Sequence, residues 1–152
     1  ECKVQITVGN VLYCWDKVRV KGTGAARTYS VFIESRPNIN NRRKYPRVDI
    51  DNSCTVTIKD TGRSIECKLD NISANGFAFI TRDACFMDHK SEEISMEIHD
   101  FVLTRHNRLE GRVIRCSDDE GSYIVGCQMP EDDFFIRDYV SERLKKEKNQ
   151  RK

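Results

Sequence analysis

Apolar and polar residues alternate with a period of two along most of this chain, which is the pattern of half-buried β-strands. The alternation runs through residues 3–20 and 29–34 and resumes at residue 48 in short segments separated by turn-forming residues. The strand candidates of this second part are Val48/Ile50, Cys54–Ile58, Ile65–Ile72, Gly76–Ile80, Ile94–Ile98, Val102–Thr104, Leu109–Cys116 and Tyr123–Met129. A parallel sheet would need a helical pattern of about 10–15 residues between strands, and the sequence has none there. The chain is therefore predicted to be all-β, with a barrel or a sandwich of short strands.

The last part of the chain changes to a helical pattern. Residues 130–133, Pro-Glu-Asp-Asp, predict a helix start, because acidic residues in the first turn complement the helix dipole. Apolar residues then recur at helical spacing and are expected to pack on the barrel: Phe135, Tyr139, Val140 and Leu144. Residues 146–152 are mostly charged and are expected to form a frayed tail.

The strands fall into two groups on either side of a basic segment. Residues 1–36 hold too few strands for a core of their own, so we expect them to be the C-terminal strands of a β-rich domain that begins upstream of Glu1. Residues 37–47 have no hydrophobic periodicity, which predicts a linker. Residues 48–145 are predicted to form the barrel domain with its C-terminal helix.

Composition excludes several classes of function. The formal net charge is only +2, so affinity for an anionic partner must come from local charge. No apolar run is long enough to span a membrane. The seven cysteines are odd in number and never spaced CxxC, which argues against a disulfide framework and a zinc site and favours a reducing cytoplasm. No catalytic triad, carboxylate pair or phosphate loop is visible, so we expect neither an enzyme nor a metal or other cofactor.

The linker contains the first candidate site, Arg43-x-x-x-Arg47, with Arg42 before it. Pro46 prevents a helix here, because it lacks a backbone donor and pushes Tyr45 toward an extended conformation. The arginines therefore lie on a loop that can wrap a ligand. Each guanidinium offers a planar fork of donors, which fits a phosphate or the O6/N7 edge of guanine. Taken alone, however, this arrangement is more typical of a solvated basic linker.

The second candidate site is Asn71-Ile-Ser73-Ala-Asn75-Gly76. Asn71 and Ser73 are two residues apart, so on a strand they point the same way. An amide oxygen and a hydroxyl can both accept hydrogen bonds from the N1–H and N2–H₂ donors of guanine. Gly76 allows a turn or a close approach of the backbone. Alone, the motif also describes a polar strand end that runs into a turn.

The two motifs in this order, on an all-β background, resemble the PilZ domain family. The matching residues are Arg43, Arg47, Asn71, Ser73 and Gly76. Residues 111–115 and 123–129 are similar to two later strands of the family, with methionine at position 129 where phenylalanine is more usual. The resemblance covers residues 40–145 and implies a six-stranded antiparallel barrel with a C-terminal helix.

The resemblance also implies a ligand, bis-(3′-5′)-cyclic dimeric GMP. In the family the arginines of RxxxR hold phosphates and the Hoogsteen edge of guanine, and these roles carry over to Arg43 and Arg47. The asparagine and serine of the second motif read the other edge of guanine, and these roles carry over to Asn71 and Ser73. A basic residue just before RxxxR favours two bound ligands in the family, so Arg42 predicts a stoichiometry of two.

Three residues beside the motifs are further ligand candidates: Asp70, Asn75 and Arg115. The N-terminal strands are similar in arrangement to the domain that precedes PilZ in receptors of the flagellar-brake type. On this hypothesis the chain is a bacterial signalling switch. Ligand binding orders the arginine loop, reorients the preceding domain and signals to a protein partner in the flagellar motor, a secretion system or polysaccharide machinery.

Two alternatives remain open from the sequence. A barrel with a basic arm is also typical of an interaction module that binds single-stranded nucleic acid or protein without a nucleotide signal. That class usually interleaves aromatic with basic residues, and the basic stretch has only Tyr45, so we expect no nucleic acid partner. The other alternative is a PilZ fold that has lost its ligand, against which the intact motifs argue.

Overall fold

The computed structural model describes residues 2–8, 11–41, 43–88, 90–101 and 107–152. The predicted strand at 102–104 and Arg42 lie outside the described residues. The chain divides into two compact units, Glu1–Lys44 and Tyr45–Lys152.

The first unit is a small antiparallel sheet built around one long strand. Strand β2 (Val11–Gly22) pairs with β1 (Cys2–Val8), β3 (Tyr29–Phe32) and β4 (Asn38–Asn41). Within the described part of this unit, the buried apolar side chains are those of Cys14 and Val18.

Strand β4 differs from the linker that the sequence predicts over residues 37–47. Its backbone pairs with Val11–Cys14 of β2, and the side-chain amide of Asn38 donates to Asp16 Oδ2 at 3.1 Å. Asparagine is depleted in strands, and the segment has no apolar alternation. Its extended conformation comes from pairing with a partner strand, which local sequence does not reveal.

The second unit is a barrel of antiparallel strands. Its seven strands are β5 (Val48–Asp49), β6 (Ser53–Ile58), β7 (Ser64–Ser73), β8 (Gly76–Thr81), β9 (Glu93–Ile98), β10 (Arg108–Asp119) and β11 (Ser122–Gln128). They pair in the order β5-β7-β6-β9-β10-β11-β8, and an additional β7–β8 pairing closes six of them into a ring. The short β5 pairs with the C-terminal end of β7, beyond the part of β7 that pairs with β6. The prediction of an all-β fold with a six-stranded barrel and a C-terminal helix is confirmed.

The barrel interior is filled by the inward-facing residues of each strand. Val56, Leu69 and Phe79 have no exposed surface, whereas most of the residues that alternate with them along their strands are polar or partly exposed. A 3₁₀ helix at Ala84–Met87 adds Phe86, whose ring meets the Phe79 ring edge to face with centroids 5.3 Å apart.

Helix α1 (Phe134–Gln150) follows the barrel, and it corrects three sequence expectations. The acidic residues precede the helix, and Asp133 is the N-cap, whose Oδ1 accepts from the Ile136 N–H at 3.0 Å. The helix continues through most of the predicted charged tail at 146–152. The residues buried under it are Ile136 and Val140, whereas Phe135 is 69% exposed. Apolar spacing alone did not distinguish residue 135 from 136.

All seven cysteines are free thiols, and their burial varies. Burial raises the pKa of Cys54 and Cys127 to about 12. Burial also raises the pKa of Cys67 and Cys85 to about 11. These thiols are therefore protonated at neutral pH, and Cys2 is the exposed one.

None of the helices among the described residues combines the length and the apolar character that crossing a membrane requires.

Replacing Phe86 by alanine is expected to lower the free energy of unfolding by about 3–5 kcal/mol, because it leaves a cavity against Phe79. Met87 is the next residue of the same 3₁₀ helix and is 42% exposed, so Met87→Ala is the matched control and should change stability by less than about 0.5 kcal/mol. Urea unfolding followed by circular dichroism measures both. Equal losses in the two variants would contradict the assigned core position of Phe86.

The different burial of the thiols leads to a second prediction, which concerns their reactivity. Because the thiolate is the reactive form, Cys2 should react rapidly with a chromogenic disulfide reagent at pH 8, and the partly buried Cys67, Cys85 and Cys116 should react slowly. The buried Cys14, Cys54 and Cys127 should react only after unfolding in guanidinium. The rates at Cys67 and Cys85 should rise as the pH approaches their pKa of about 11. Rapid reaction of three or more thiols in the folded protein would show that the burial is wrong.

Candidate functional site

Cross-strand pairing places the candidate residues in two rows on the outer face of the barrel. The first row crosses five strands, because paired residues of neighbouring strands share one face of the sheet. Its members in order are Asp49, Asn71, Ala78, Gly126 and Arg115. The row therefore joins residues that are far apart in sequence, from the strand after the arginine loop to the late strand β10.

The second row lies beside the first. Its members in order are Ser73, Gly76, Gln128 and Arg112. The residues between the two rows, among them Ile72 and Phe77, point inward and are buried. Both motif residues of β7, Asn71 and Ser73, are thus on the same face as Arg115.

Two β-bulges determine the direction in which two members of the first row, Asn71 and Arg115, point. In β7 the register shifts between Leu69 and Asn71, and in β10 it shifts between Val113 and Arg115. Each shift leaves one extra residue in the strand, so that the residue after it points outward where plain alternation from a buried neighbour would turn it inward. The bulges therefore place Asn71 and Arg115 on the same outward row.

Each row contains one glycine, Gly126 in the first row and Gly76 in the second. A Cβ at Gly126 would lie 2.6 Å from Arg115 Nε and 2.8 Å from its Cγ, which shows that the Arg115 side chain lies flat across the backbone of Gly126. A Cβ at Gly76 would lie 2.6 Å from the carbonyl oxygen of Cys127. Both glycines are required by close approach of other atoms.

Asn71 carries an unsatisfied acceptor. Its Nδ2 donates to Asp70 Oδ2 at 2.9 Å, whereas its Oδ1 is buried without a hydrogen-bond partner among the described residues. Leaving a buried acceptor unpaired costs about 1–3 kcal/mol. Such an atom in a native structure is a candidate for pairing with a ligand.

Ser73 has a different role from Asn71 in this structure. It is 2% exposed, and its Oγ lies 3.0 Å from Asn75 Oδ1 and 3.2 Å from the Gly76 carbonyl oxygen. The hydroxyl therefore holds the β7–β8 turn in shape. Asn75 completes that local network from the turn itself.

The turn is fastened to the segment before the helix, Met129–Asp133, which we call the strap. The Met129 N–H donates to the Asn75 carbonyl at 2.9 Å, and the Asp133 N–H donates to the Ala74 carbonyl at 2.7 Å. Tyr45, which lies inside the RxxxR motif, donates its hydroxyl to Asp132 Oδ2 at 2.8 Å. The strap is therefore the common support of the second motif and of Tyr45.

The arginines of the first motif fall on both sides of the division of the chain. Arg43 is exposed near the end of the first unit, and Arg47 is partly buried in the second unit, just before β5. Two residues after Arg47, Asp49 begins the first row opposite Asn71. Arg42 lies outside the described residues.

Sequence reasoning missed two members of the site. Nothing in the sequence distinguishes Asp49 from other exposed strand carboxylates, and its position follows from pairing alone. Gly126 did carry a signal, because an isolated glycine within a strand pattern often marks close backbone approach.

A comparison with protein-family models matches residues 41–139 to the PilZ domain. The chain belongs to the PilZ domain family. The predicted resemblance is thereby confirmed, and the two rows lie on the outer face of a PilZ barrel.

Solved structures share this fold, and several of them match over most of the chain. The Bacillus subtilis inhibitor of motility MotI/DgrA matches with a TM-score of 0.65 and 19% identity, over 93% of this chain and 72% of that chain. YcgR from Escherichia coli, in complex with c-di-GMP, matches with a TM-score of 0.57 and 9% identity, over 97% and 65% of the two chains. The MrkH–c-di-GMP complex of K. pneumonia matches with a TM-score of 0.54 and 17% identity, over 99% and 73%.

At these identities the matches show a common fold, and the PilZ chain spans about two thirds to three quarters of each of those proteins. Among curated proteins, the sequence search finds no match.

The close contact at Gly76 gives a stability prediction. Gly76→Ala is expected to lower the free energy of unfolding by about 1–3 kcal/mol, because the new Cβ meets a backbone carbonyl that cannot rotate away. Gly22→Ala is the matched control, since nothing lies within 4 Å of that Cβ and no positive φ strains it. Urea unfolding compares the two. A Gly76→Ala variant as stable as Gly22→Ala would mean that the turn is not held against Cys127.

Proposed function

We propose that this PilZ domain is a receptor that binds cyclic di-GMP on the two outward rows, next to the RxxxR loop. The observation that supports it most directly is the Oδ1 of Asn71, which is buried and has no hydrogen-bond partner among the described residues; Asn71 is the first residue of the motif expected to read guanine. A second-messenger nucleotide with two guanines offers the N1–H and N2–H₂ donors that this acceptor lacks. Pairing with guanine removes the cost of an orphaned acceptor and so contributes to affinity.

The arginines supply the charge that two phosphates require. Arg43 and Arg47 are assigned to phosphate and to the Hoogsteen edge of guanine, since a guanidinium fork fits both. Charge-assisted hydrogen bonds of this kind are about twice as strong as neutral ones. Arg42 is assigned to the contact that favours a pair of ligands, giving a stoichiometry of two.

Arg115 is assigned to the opposite side of the ligand. Its side chain lies flat on Gly126, so its planar guanidinium can offer a face to a guanine base. Ser73, Asn75 and Gly76 shape the turn that holds Asn71 in position. Asp70 fixes the orientation of the Asn71 amide, so that the oxygen and not the nitrogen is left for the ligand.

Binding is proposed to act as a switch in the cytoplasm. Without ligand, the like charges of the arginine loop repel one another, and ligand phosphates neutralise them. Because this loop joins the two units, its ordering would reorient the N-terminal unit and signal to a protein partner of motility, secretion or polysaccharide export.

Isothermal titration with cyclic di-GMP tests the assignment. Arg47→Ala and Asn71→Ala should each raise the Kd, by roughly 10- to 150-fold for the arginine if it makes one charge-assisted hydrogen bond. Arg63→Ala is the matched control, since Arg63 is an exposed arginine paired with Asp83 and lies outside both rows. It should bind within about twofold of the parent, and cyclic di-AMP should bind much more weakly than cyclic di-GMP.

Two outcomes would sink the proposal. One is unchanged affinity in the Arg47→Ala and Asn71→Ala variants. The other is binding of single-stranded nucleic acid that falls steeply with salt and that cyclic di-GMP does not displace, which would favour the interaction-module alternative.

A further inference from the structure

The second motif offers a ligand less than its sequence suggests. Ser73 is 2% exposed, and its hydroxyl is engaged with Asn75 and with the Gly76 carbonyl inside the β7–β8 turn. Asn71 Oδ1 has no hydrogen-bond partner among the described residues, and it can satisfy one donor of a base. The Watson–Crick edge of guanine presents donors on two adjacent atoms, N1–H and N2–H₂, so a second acceptor beside Asn71 is needed to pair with both.

Asp49 is the neighbour of Asn71 on the adjoining strand. The two residues are cross-strand partners in β5 and β7. At the next step of this ladder the Ile50 N–H donates to the Asp70 carbonyl at 2.8 Å. Because hydrogen-bonded and non-hydrogen-bonded pairs alternate between antiparallel strands, Asp49 and Asn71 form a non-hydrogen-bonded pair, in which the side chains are closest. Two Cβ atoms in such a pair are about 4.5–5.5 Å apart, near enough for both side chains to meet one edge of a base.

The carboxylate of Asp49 is open to a ligand. Strand β5 turns Val48 into the core and leaves Asp49 exposed. Within the part of the chain that the structure describes, this carboxylate has neither a hydrogen bond nor an ion pair. Asp70, the other carboxylate beside Asn71, already accepts from the Asn71 amide at 2.9 Å. Asp49 is therefore the better placed of the two to accept from a base.

The order of these side chains matches the order of the polar atoms on guanine. Arg47 precedes Asp49 by two residues, and Asn71 lies across from Asp49 on the next strand. Along the guanine ring the N7 and O6 acceptors come first, then the N1–H donor, and then the N2–H₂ donors. An arginine at the O6/N7 edge thereby brings Asp49 to N1–H and Asn71 Oδ1 to N2–H₂.

We propose that Asp49 determines specificity for guanine, by accepting a hydrogen bond from N1–H of the bound base while Asn71 accepts from N2–H₂. The inference rests on the proposed nucleotide site and adds to it a residue that lies outside both sequence motifs. Adenine carries a lone pair at N1 where guanine carries a hydrogen. The carboxylate would then face another acceptor, so the site rejects adenine as well as selecting guanine.

The sign of one substitution separates this role from a passive one. Asp49→Asn removes one negative charge and keeps the size of the side chain. For a carboxylate that does not touch the base, the substitution would relieve repulsion from the two ligand phosphates and lower the Kd. For a carboxylate that accepts from N1–H, it should raise the Kd for cyclic di-GMP by roughly 10- to 150-fold, as expected for one lost hydrogen bond to a charged group. Isothermal titration measures both the direction and the size of the change.

Two analogues of the ligand assign the atoms. Cyclic di-IMP keeps N1–H and lacks the N2 amino group, whereas cyclic di-AMP lacks N1–H. Asp49→Asn should weaken binding of cyclic di-IMP about as much as that of cyclic di-GMP, whereas Asn71→Ala should leave the Kd for cyclic di-IMP within about threefold of the parent value. Asp49→Asn should also reduce the preference for cyclic di-GMP over cyclic di-AMP by at least about tenfold, because the new amide can donate to adenine N1.

Glu97→Gln is the matched control, because it removes one charge from an exposed position of strand β9 outside both rows. It should bind all three nucleotides like the parent, and thermal unfolding checks that each variant folds.

The outcomes distinguish this inference from the receptor assignment on which it rests. Parent-like or tighter binding of cyclic di-GMP by folded Asp49→Asn would overturn the role of Asp49 and leave the receptor assignment intact. Weaker binding of cyclic di-GMP with unchanged binding of cyclic di-IMP would overturn the contact with N1–H. A parent protein that does not bind cyclic di-GMP would overturn the receptor assignment and this inference with it.

Discussion

The barrel depends on the pairing of one strand, β7. One of its edges pairs with β6 and, further along, with β5, while the other edge pairs with β8. The β7–β8 pairs close the ring, so that each of the six described strands of the ring pairs with a neighbour on both edges. Because β5 follows directly on the arginine loop, the same strand also fixes where that loop enters the barrel.

The candidate site is a consequence of this closure. The bulge after Leu69 turns Asn71 outward, and a second bulge turns Arg115 outward on the far side of the same row. The turn that ends β7 is bound through two backbone hydrogen bonds to the strap that begins the helix. One set of backbone contacts therefore positions both the second motif, Asn71–Gly76, and the start of α1.

Local patterns predicted the elements whose signal lies within a few residues. The alternation of apolar and polar residues predicted the barrel strands, because one face of each strand is buried. The helical spacing of apolar residues predicted α1. Strand β4 was not predicted, because asparagine has no preference for strands and the extended conformation of this segment comes from its pairing with β2. Phe135 was wrongly expected in the core, because a shift of one position in the buried stripe keeps nearly the same spacing.

The sequence by itself determined an all-β barrel with a terminal helix, the PilZ family, and two motifs whose side chains suit a guanine nucleotide. These follow from residue type and spacing, which the chain carries locally. Tertiary structure alone decided that Asp49, Asn71 and Arg115 share one row, and that the Ser73 hydroxyl hydrogen-bonds within the β7–β8 turn. It also decided that Phe134 and Phe135 are left exposed beside the strap. Register, bulges and the rotation of a helix depend on partners distant in sequence, so no local pattern contains them.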